Sequence, residues 1–388
     1  MSTTERRLRA ALREGETVTP LELFFDLVFV LAFTQCTALM ADDPTWEGLA
    51  RGLLVLGVMW WAWVGYAWLT SVVDPEEGAV RIAIFGAMAA LLVVALAIPE
   101  AFGDLGLLLA IAYGGVRGGQ IALFVIASRD DRGLRHSVVG LAISTAVGTG
   151  LLVAASFADN ELQGALWALA LALDMGGPLL IDSSGWRLSP KHFAERHGLI
   201  LIIALGESIV AIGVGATHGV DAGVVAAAVV GMVIAAMLWW MYFDVVALVS
   251  ERRLVEAPEG KARNEMARDS FSYLHFPMIA GIILLALGLK KTLEHVDDPL
   301  ELVPAFALLG GTALYLLAHV AFRWRNVHTL NTRRLAAAVL VLLFLPAAIE
   351  LPALATIAIL AAALVALVAY ETHSYGEARA RLRHEISH

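Results

Sequence analysis

Cysteine is almost missing: Cys36 is the one thiol in 388 residues. That excludes an intramolecular disulfide and any multi-cysteine zinc site. Charge is scarce too, at 16% of residues, where a soluble domain carries about 25%. No Walker loop, dinucleotide glycine fingerprint or G-x-S-x-G elbow occurs, so nucleotide-driven pumping by this chain alone is not expected. No cofactor is expected either. No polar stretch is long enough to form a soluble domain. The net charge of −9 is spread over short loops of opposite bias, and no nucleic-acid partner is expected.

What is present is apolar. Hydrophobic residues make up 59% of the chain, gathered in blocks of about 20, the length that crosses a bilayer's hydrocarbon core. The class is an all-α, polytopic membrane protein whose first partner is the lipid bilayer. The basic start of the chain leads into a run too long and too acidic for a cleaved signal peptide, so the run reads as a permanent span. The blocks predict about twelve spans, over 19–40, 50–72, 80–99, 105–127, 135–157, 163–181, 196–216, 222–249, 269–289, 301–323, 333–350 and 353–371. The weakest break is the turn Glu350–Pro352, where failure would merge the last two spans.

Positive charge orients this layout. Of the 27 lysines and arginines, 23 fall in the N-terminus, alternate loops and the C-terminus, including Arg196 and Arg334. Three (Arg51, Lys290, Lys291) fall on the other side, and Arg117 is left inside a span. The positive-inside rule then places both termini in the cytoplasm.

An internal repeat is expected. Glu22 matches Glu195, Met59–Trp61 matches Leu238–Trp240, Gln120 falls opposite His319, and Asp174 falls near Glu371. The offset drifts from about 173 to about 199, as loop-length changes would produce. Six spans per half is even, so the two six-helix repeats would be parallel, related by an axis along the membrane normal. The expected organisation is a cytoplasmic N-terminus (1–18), a first repeat (19–181), a cytoplasmic linker (182–195), a second repeat (196–371) and a cytoplasmic tail (372–388).

Three stretches resemble the bacterial low temperature requirement A family: Thr19–Gln35 (TPLELFFDLVFVLAFTQ), His192–Gly213 (HFAERHGLILIIALGESIVAIG) and Tyr273–Gly288 (YLHFPMIAGIILLALG). The likeness runs over roughly 18–372. It implies an integral protein of the bacterial inner membrane. It implies no settled biochemical activity.

Ionisable residues in spans are functional candidates because charge there is costly. Glu22 and Asp26 stand at i and i+4, on one helix face. Such a pair can carry a proton or bind a cation; the plainer reading pairs Asp26 with a buried arginine. Arg117, in the run YGGVRGGQ, needs an acid or a substrate anion, with Asp26, Glu207 and Asp174 as the acids available. Glu207 sits near mid-membrane. Asp244 follows the aromatic run Trp239–Phe243, which reads as an interfacial belt, and the first-half run Trp60–Trp68 reads as its equivalent, with a ligand-stacking wall as the other reading. His275 and His319 titrate near neutral pH and can relay protons. His192, Glu195 and His197 give no good common face for a metal, and no metal site is expected. Asp26, Glu207 and Arg117 are expected to share one polar cavity.

Many spans, short loops and intramembrane acids point to a secondary transporter, proton-coupled in one version, of a small molecule. The other readings are a structural or sensory membrane protein supporting growth in the cold, and an intramembrane lipid-modifying enzyme.

Overall fold

The computed structural model describes residues 17–216, 219 and 221–386, with backbone alone at 160 and over 375–386. The arginines at 6–13 and the side chains of Arg379, Arg381 and Arg383 lie outside the described residues. Helices follow one another with no β-strand among the described residues. They are α1 (Pro20–Asp42), α2 (Trp46–Val72), α3 (Gly78–Ala97), α4 (Gly106–Ala127), α5 (Arg132–Ala155), α6 (Asn160–Leu180), α7 (Pro190–Gly215), α8 (Ala222–Phe243), α9 (Val246–Glu256) and α10 (Lys261–Met266). After a π-helical turn (Ala267–Tyr273) come α11 (His275–Glu294), α12 (Leu302–Val327), α13 (Thr332–Leu343), α14 (Leu345–Ala348) and α15 (Ala353–Ile386).

Among the described residues, ten helical stretches are long and apolar enough to cross a membrane. The two other expected spans, 163–181 and 333–350, take a different form. The first is α6, which carries Gln163, Asp174 and Pro178 within 21 residues. The second is broken into α13, of 12 residues, and the four-residue α14. Pro346 in α14 has no N–H to continue the helix ladder. The turn before α15 holds: Ala353 and Leu354 donate their N–H groups to the carbonyls of Asp298 and Val296 (2.9 and 3.0 Å). α15 then runs on through the polar tail as one helix.

The chain divides into two compact units. The first comprises the described residues to Ile203 with Arg253–Phe276, and the second comprises Ala204–Arg252 with the residues from Pro277 onward. In lipid, apolar burial does not drive helices together; packing and interhelical hydrogen bonds do. The first unit is built around α2, with 83% of its apolar window buried, against 44% for α1, α3 and α4. Short loops make neighbours of α3 and α4, α4 and α5, and α5 and α6, and α2 contacts α1, α4 and α6. α1 starts on a capping box: Thr19 accepts from the Glu22 backbone and Glu22 accepts from the Thr19 backbone, with Pro20 in the first turn. Asp131 caps α5 through the Leu134 N–H, and that bond, with Arg187 beside it, holds the Asp131 carboxyl below the usual range.

In the second unit α12 packs on α13, and α8 and α13 pack on α15. α11 and α12 cross where Gly281 meets Gly311. A Cβ on Gly311 would lie 2.6 Å from the Gly281 carbonyl oxygen, so the crossing admits no side chain at that point.

The run Trp60–Trp68 corrects one expectation. Trp60, Trp61 and Trp63 are buried at 0–3% exposure, so they form no belt. The indoles of Trp60 and Trp63 tie the chain together instead. Trp60 Nε1 donates to the Ser272 carbonyl (2.8 Å) and Trp63 Nε1 to Asp26 Oδ1 (2.8 Å). Trp239 and Trp240, by contrast, are 45% and 40% exposed.

Candidate functional site

Within the first unit, α1 and the start of α7 bring four ionisable groups together as a two-rung ladder. Glu22 and Asp26 lie one turn apart on α1, and His192 and Arg196 lie one turn apart on α7. His192 Nε2 is 2.8 Å from Glu22 Oε1, and Arg196 Nη2 is 2.5 Å from Asp26 Oδ1. Arg196 Nη1 reaches back to Glu22 at 3.7 Å and donates to Thr70 Oγ1 at 2.9 Å. Trp63 supplies a second donor to Asp26, and Ser71 Oγ faces His192 Nδ1 at 3.3 Å. The guanidinium also sits 5.4 Å from the Trp63 ring centre. All four groups are buried at 1% exposure or less. Asp26 Oδ2 and Arg196 Nε have no hydrogen-bond partner.

The ladder's formal charge depends on one proton. It holds two carboxylates, one guanidinium that stays charged, and one imidazole. With His192 neutral the four groups sum to −1; with one proton added they sum to zero. A buried excess charge is costly at membrane depth.

Rung order also fixes direction. Glu22 meets His192 and Asp26 meets Arg196, so α1 and α7 run parallel, and an even number of crossings separates their starts. Five helices long and apolar enough to span, α1 to α5, precede α6, which is not itself among the ten such stretches.

A second cluster lies on α4. Arg117 Nη2 is 3.1 Å from Asp174 Oδ1 and 2.8 Å from Thr145 Oγ1, while Nη1 donates to Gln120 Oε1 at 2.6 Å. Tyr113 donates to the other Asp174 oxygen at 3.0 Å. Gly65 makes room: a Cβ there would lie 2.4 Å from Arg117 Nη1. Asp26 and Arg117 therefore have different partners, which corrects the expectation that they share a cavity. Each satisfies its charge with an ion its own packing supplies.

His275 sits in an aromatic box with His197, 5.1 Å between ring centres. Each donates from Nδ1 to a backbone carbonyl, His197 to Phe193 (2.7 Å) and His275 to Ser270 (3.0 Å). His197 Nε2 has no hydrogen-bond partner.

The second unit has its own cluster. Arg334 grips Glu371 with two bonds, Nε to Oε1 (3.0 Å) and Nη2 to Oε2 (2.8 Å). Its Nη1 lies 2.7 Å from His319 Nδ1. A guanidinium only donates, so that nitrogen of His319 accepts and the ring proton resides on Nε2. Asn331 adds a bond to Glu371. Glu207 on α7 and Asp244 at the end of α8 are both buried, at 2% and 8% exposure.

The model of the family described as bacterial low temperature requirement A protein matches residues 17–369 of this chain. The chain belongs to that family. It is also 30% identical over 308 residues to an uncharacterized protein of Rhizobium meliloti (strain 1021), covering 76% of this chain and 74% of that one. No solved structure matches the chain. The ladder lies in two of the stretches that carry the family likeness, Thr19–Gln35 and His192–Gly213.

In this family member, sequence reasoning found the acids of the ladder and missed their partners. Arg196 and Arg334 stand where the sequence predicts loop charges; both are buried, at 0% and 6% exposure, and paired. A signal existed. Glu22/Asp26 and His192/Arg196 have the same i,i+4 spacing and opposite charge type, which is what two parallel helices need to pair rung by rung.

Proposed function

We propose that this chain is a proton-coupled secondary transporter of a small molecule in the bacterial cytoplasmic membrane, with both termini cytoplasmic. The observation that carries the reading is the ladder's make-up: two buried carboxylates paired with one guanidinium and one imidazole. A buried group of four that is neutral only when one proton is bound is suited to change its contacts when that proton leaves. Losing it would set Glu22 and Asp26 in competition for Arg196, which already lies within 3.7 Å of both.

A parallel two-fold repeat is part of the proposal, and like local chemistry supports it. In the first unit Arg117 joins Asp174, Gln120 and the Trp61 carbonyl. In the second, Arg334 joins Glu371, His319 and the Met241 carbonyl. Asp174 and Glu371, Gln120 and His319, and the two Trp-Trp segments are the pairs the sequence repeat aligns. Parallel repeats of this kind are common in secondary transporters.

The alternative, a structural or sensory protein, draws on the bidentate Arg334–Glu371 pair, which reads as a closed structural contact. Uptake by proteoliposomes separates the two readings. With an imposed pH gradient, one solute from a panel of small organic acids, amines and sugars should accumulate, and collapse of the gradient by an ionophore should abolish the accumulation. No gradient-dependent uptake of any solute would favour the structural reading.

A further inference from the structure

Beside the Arg117 cluster, within the first unit, lies a partly open recess with about 50 Å³ of room for water-sized occupants. At roughly 10–15 Å³ per water, that admits a few waters or one small organic molecule. Its lining includes Ser183, Trp186, Asn264 and Arg268, from the segments that follow α6 and α9, and Arg117 and Gln120 on α4.

Four lining groups are buried and lack a hydrogen-bond partner: Trp61 Nε1, Arg117 Nε, Gln120 Nε2 and Ser183 Oγ. Their residues are 0–6% exposed. All four are N–H or O–H donors, and leaving one buried and unmade costs about 1–3 kcal/mol. The lining contains two guanidinium groups, Arg117 and Arg268, and no carboxylate. Asp174 and Asp269 neutralise these arginines from outside the lining. Apart from Asn264 and Ser272, the remaining wall is apolar and aromatic. Trp186 stands 5.7 Å from Trp68 and 5.1 Å from Phe124, ring centre to ring centre.

We infer that this recess binds a small organic carboxylate, its oxygens taken by the four unpartnered donors and its apolar body laid against Trp68, Trp186 and Phe124. Donors without acceptors call for a ligand that only accepts. A carboxylate does so with two oxygens and about four lone-pair sites. The aromatic wall calls for a carbon body, which inorganic anions lack. The inference stands on the recess alone: binding without transport would leave it intact and remove only the coupling proposed above.

The test is equilibrium dialysis of radiolabelled benzoate against the full chain in nanodiscs of zwitterionic lipid. The expected result is saturable binding of one benzoate per chain, displaced by unlabelled benzoate and butyrate and not by neutral benzamide. Trp61→Phe and Ser183→Ala each delete one unpartnered donor with little change of shape. Each should weaken binding roughly ten- to hundredfold, as for loss of a hydrogen bond to a charged group. Gln120→Glu keeps the oxygen that Arg117 uses and places a negative charge in the recess, so it should abolish binding. Absence of saturable binding, equal displacement by benzamide, or unchanged affinity in Trp61→Phe and Ser183→Ala would overturn the inference. So would loss of binding on changing to anionic lipid, which would assign the acceptor to a lipid headgroup.

Discussion

Arg196 is the residue on which the ladder depends, because among the described residues it is a fixed positive charge within 3.7 Å of both Glu22 and Asp26. Arg196→Met strands the buried Asp26 carboxylate and leaves Glu22 with His192, and breaking a buried pair from one side costs about 3–5 kcal/mol. The double variant Asp26→Leu/Arg196→Met removes both ions of the lower rung and should recover most of that loss. Thermal unfolding of the purified protein in detergent checks both; equal stability of Arg196→Met and the parent would remove the ladder as a structural element. Glu22 allows a cleaner separation of cap from charge. Glutamine serves as well as glutamate in a capping box, so Glu22→Gln keeps the start of α1 while deleting a ladder charge. The acids were legible in the sequence because a spanning helix normally excludes them. Arg196 was not, because a cation near the first turn of a helix looks like a loop charge until the helix facing it is known.

At the scale of the element, glycines mark where backbones meet, and the atoms they meet decide the cost of filling them. A Cβ on Gly311 meets the Gly281 carbonyl oxygen and the Leu285 backbone N, neither of which can swing aside. One on Gly65 meets the ends of Arg117 and Gln120, which are side chains that can shift. Gly311→Val is therefore expected to abolish folded yield. Gly65→Ala should fold with a lower melting temperature and a disturbed Arg117 cluster. Size-exclusion profiles and melting curves of the two variants distinguish these outcomes; a monodisperse, fully stable Gly311→Val would contradict the close crossing of α11 and α12. Most helices were readable from apolar runs alone. α6 and the broken α13–α14 pair depart from the pattern because polar residues and Pro346 interrupt them. The burial of Trp60, Trp61 and Trp63 was not readable, since a tryptophan-rich stretch has the same composition in a membrane-interface belt and in a helix interface. What separates the two is the partner of each indole N–H.

For the whole molecule, the parallel rungs of α1 and α7 call for an even number of crossings between them, and the proposed topology has their starts in the cytoplasm. In a Cys36→Ser background, Ser189→Cys should react with thiol reagents from the cytoplasmic side alone and Asp159→Cys from the opposite side alone. Labelling of both from one side would mean that α6 does not cross. The proposed repeat draws on both levels: the sequence aligns Asp174 with Glu371 and Gln120 with His319, and in each unit these residues gather round an arginine. The arginine itself does not align, coming from α4 in one unit and α13 in the other, so the likeness of the two clusters is visible only in three dimensions. The proton role of the ladder is tested most directly by a pH-sensitive dye sealed inside proteoliposomes, read while the transported solute is added outside. The account predicts solute-dependent proton movement with the parent chain, and none with Glu22→Gln or His192→Gln, although both variants insert and fold. Proton movement at the parent rate in both variants would contradict it.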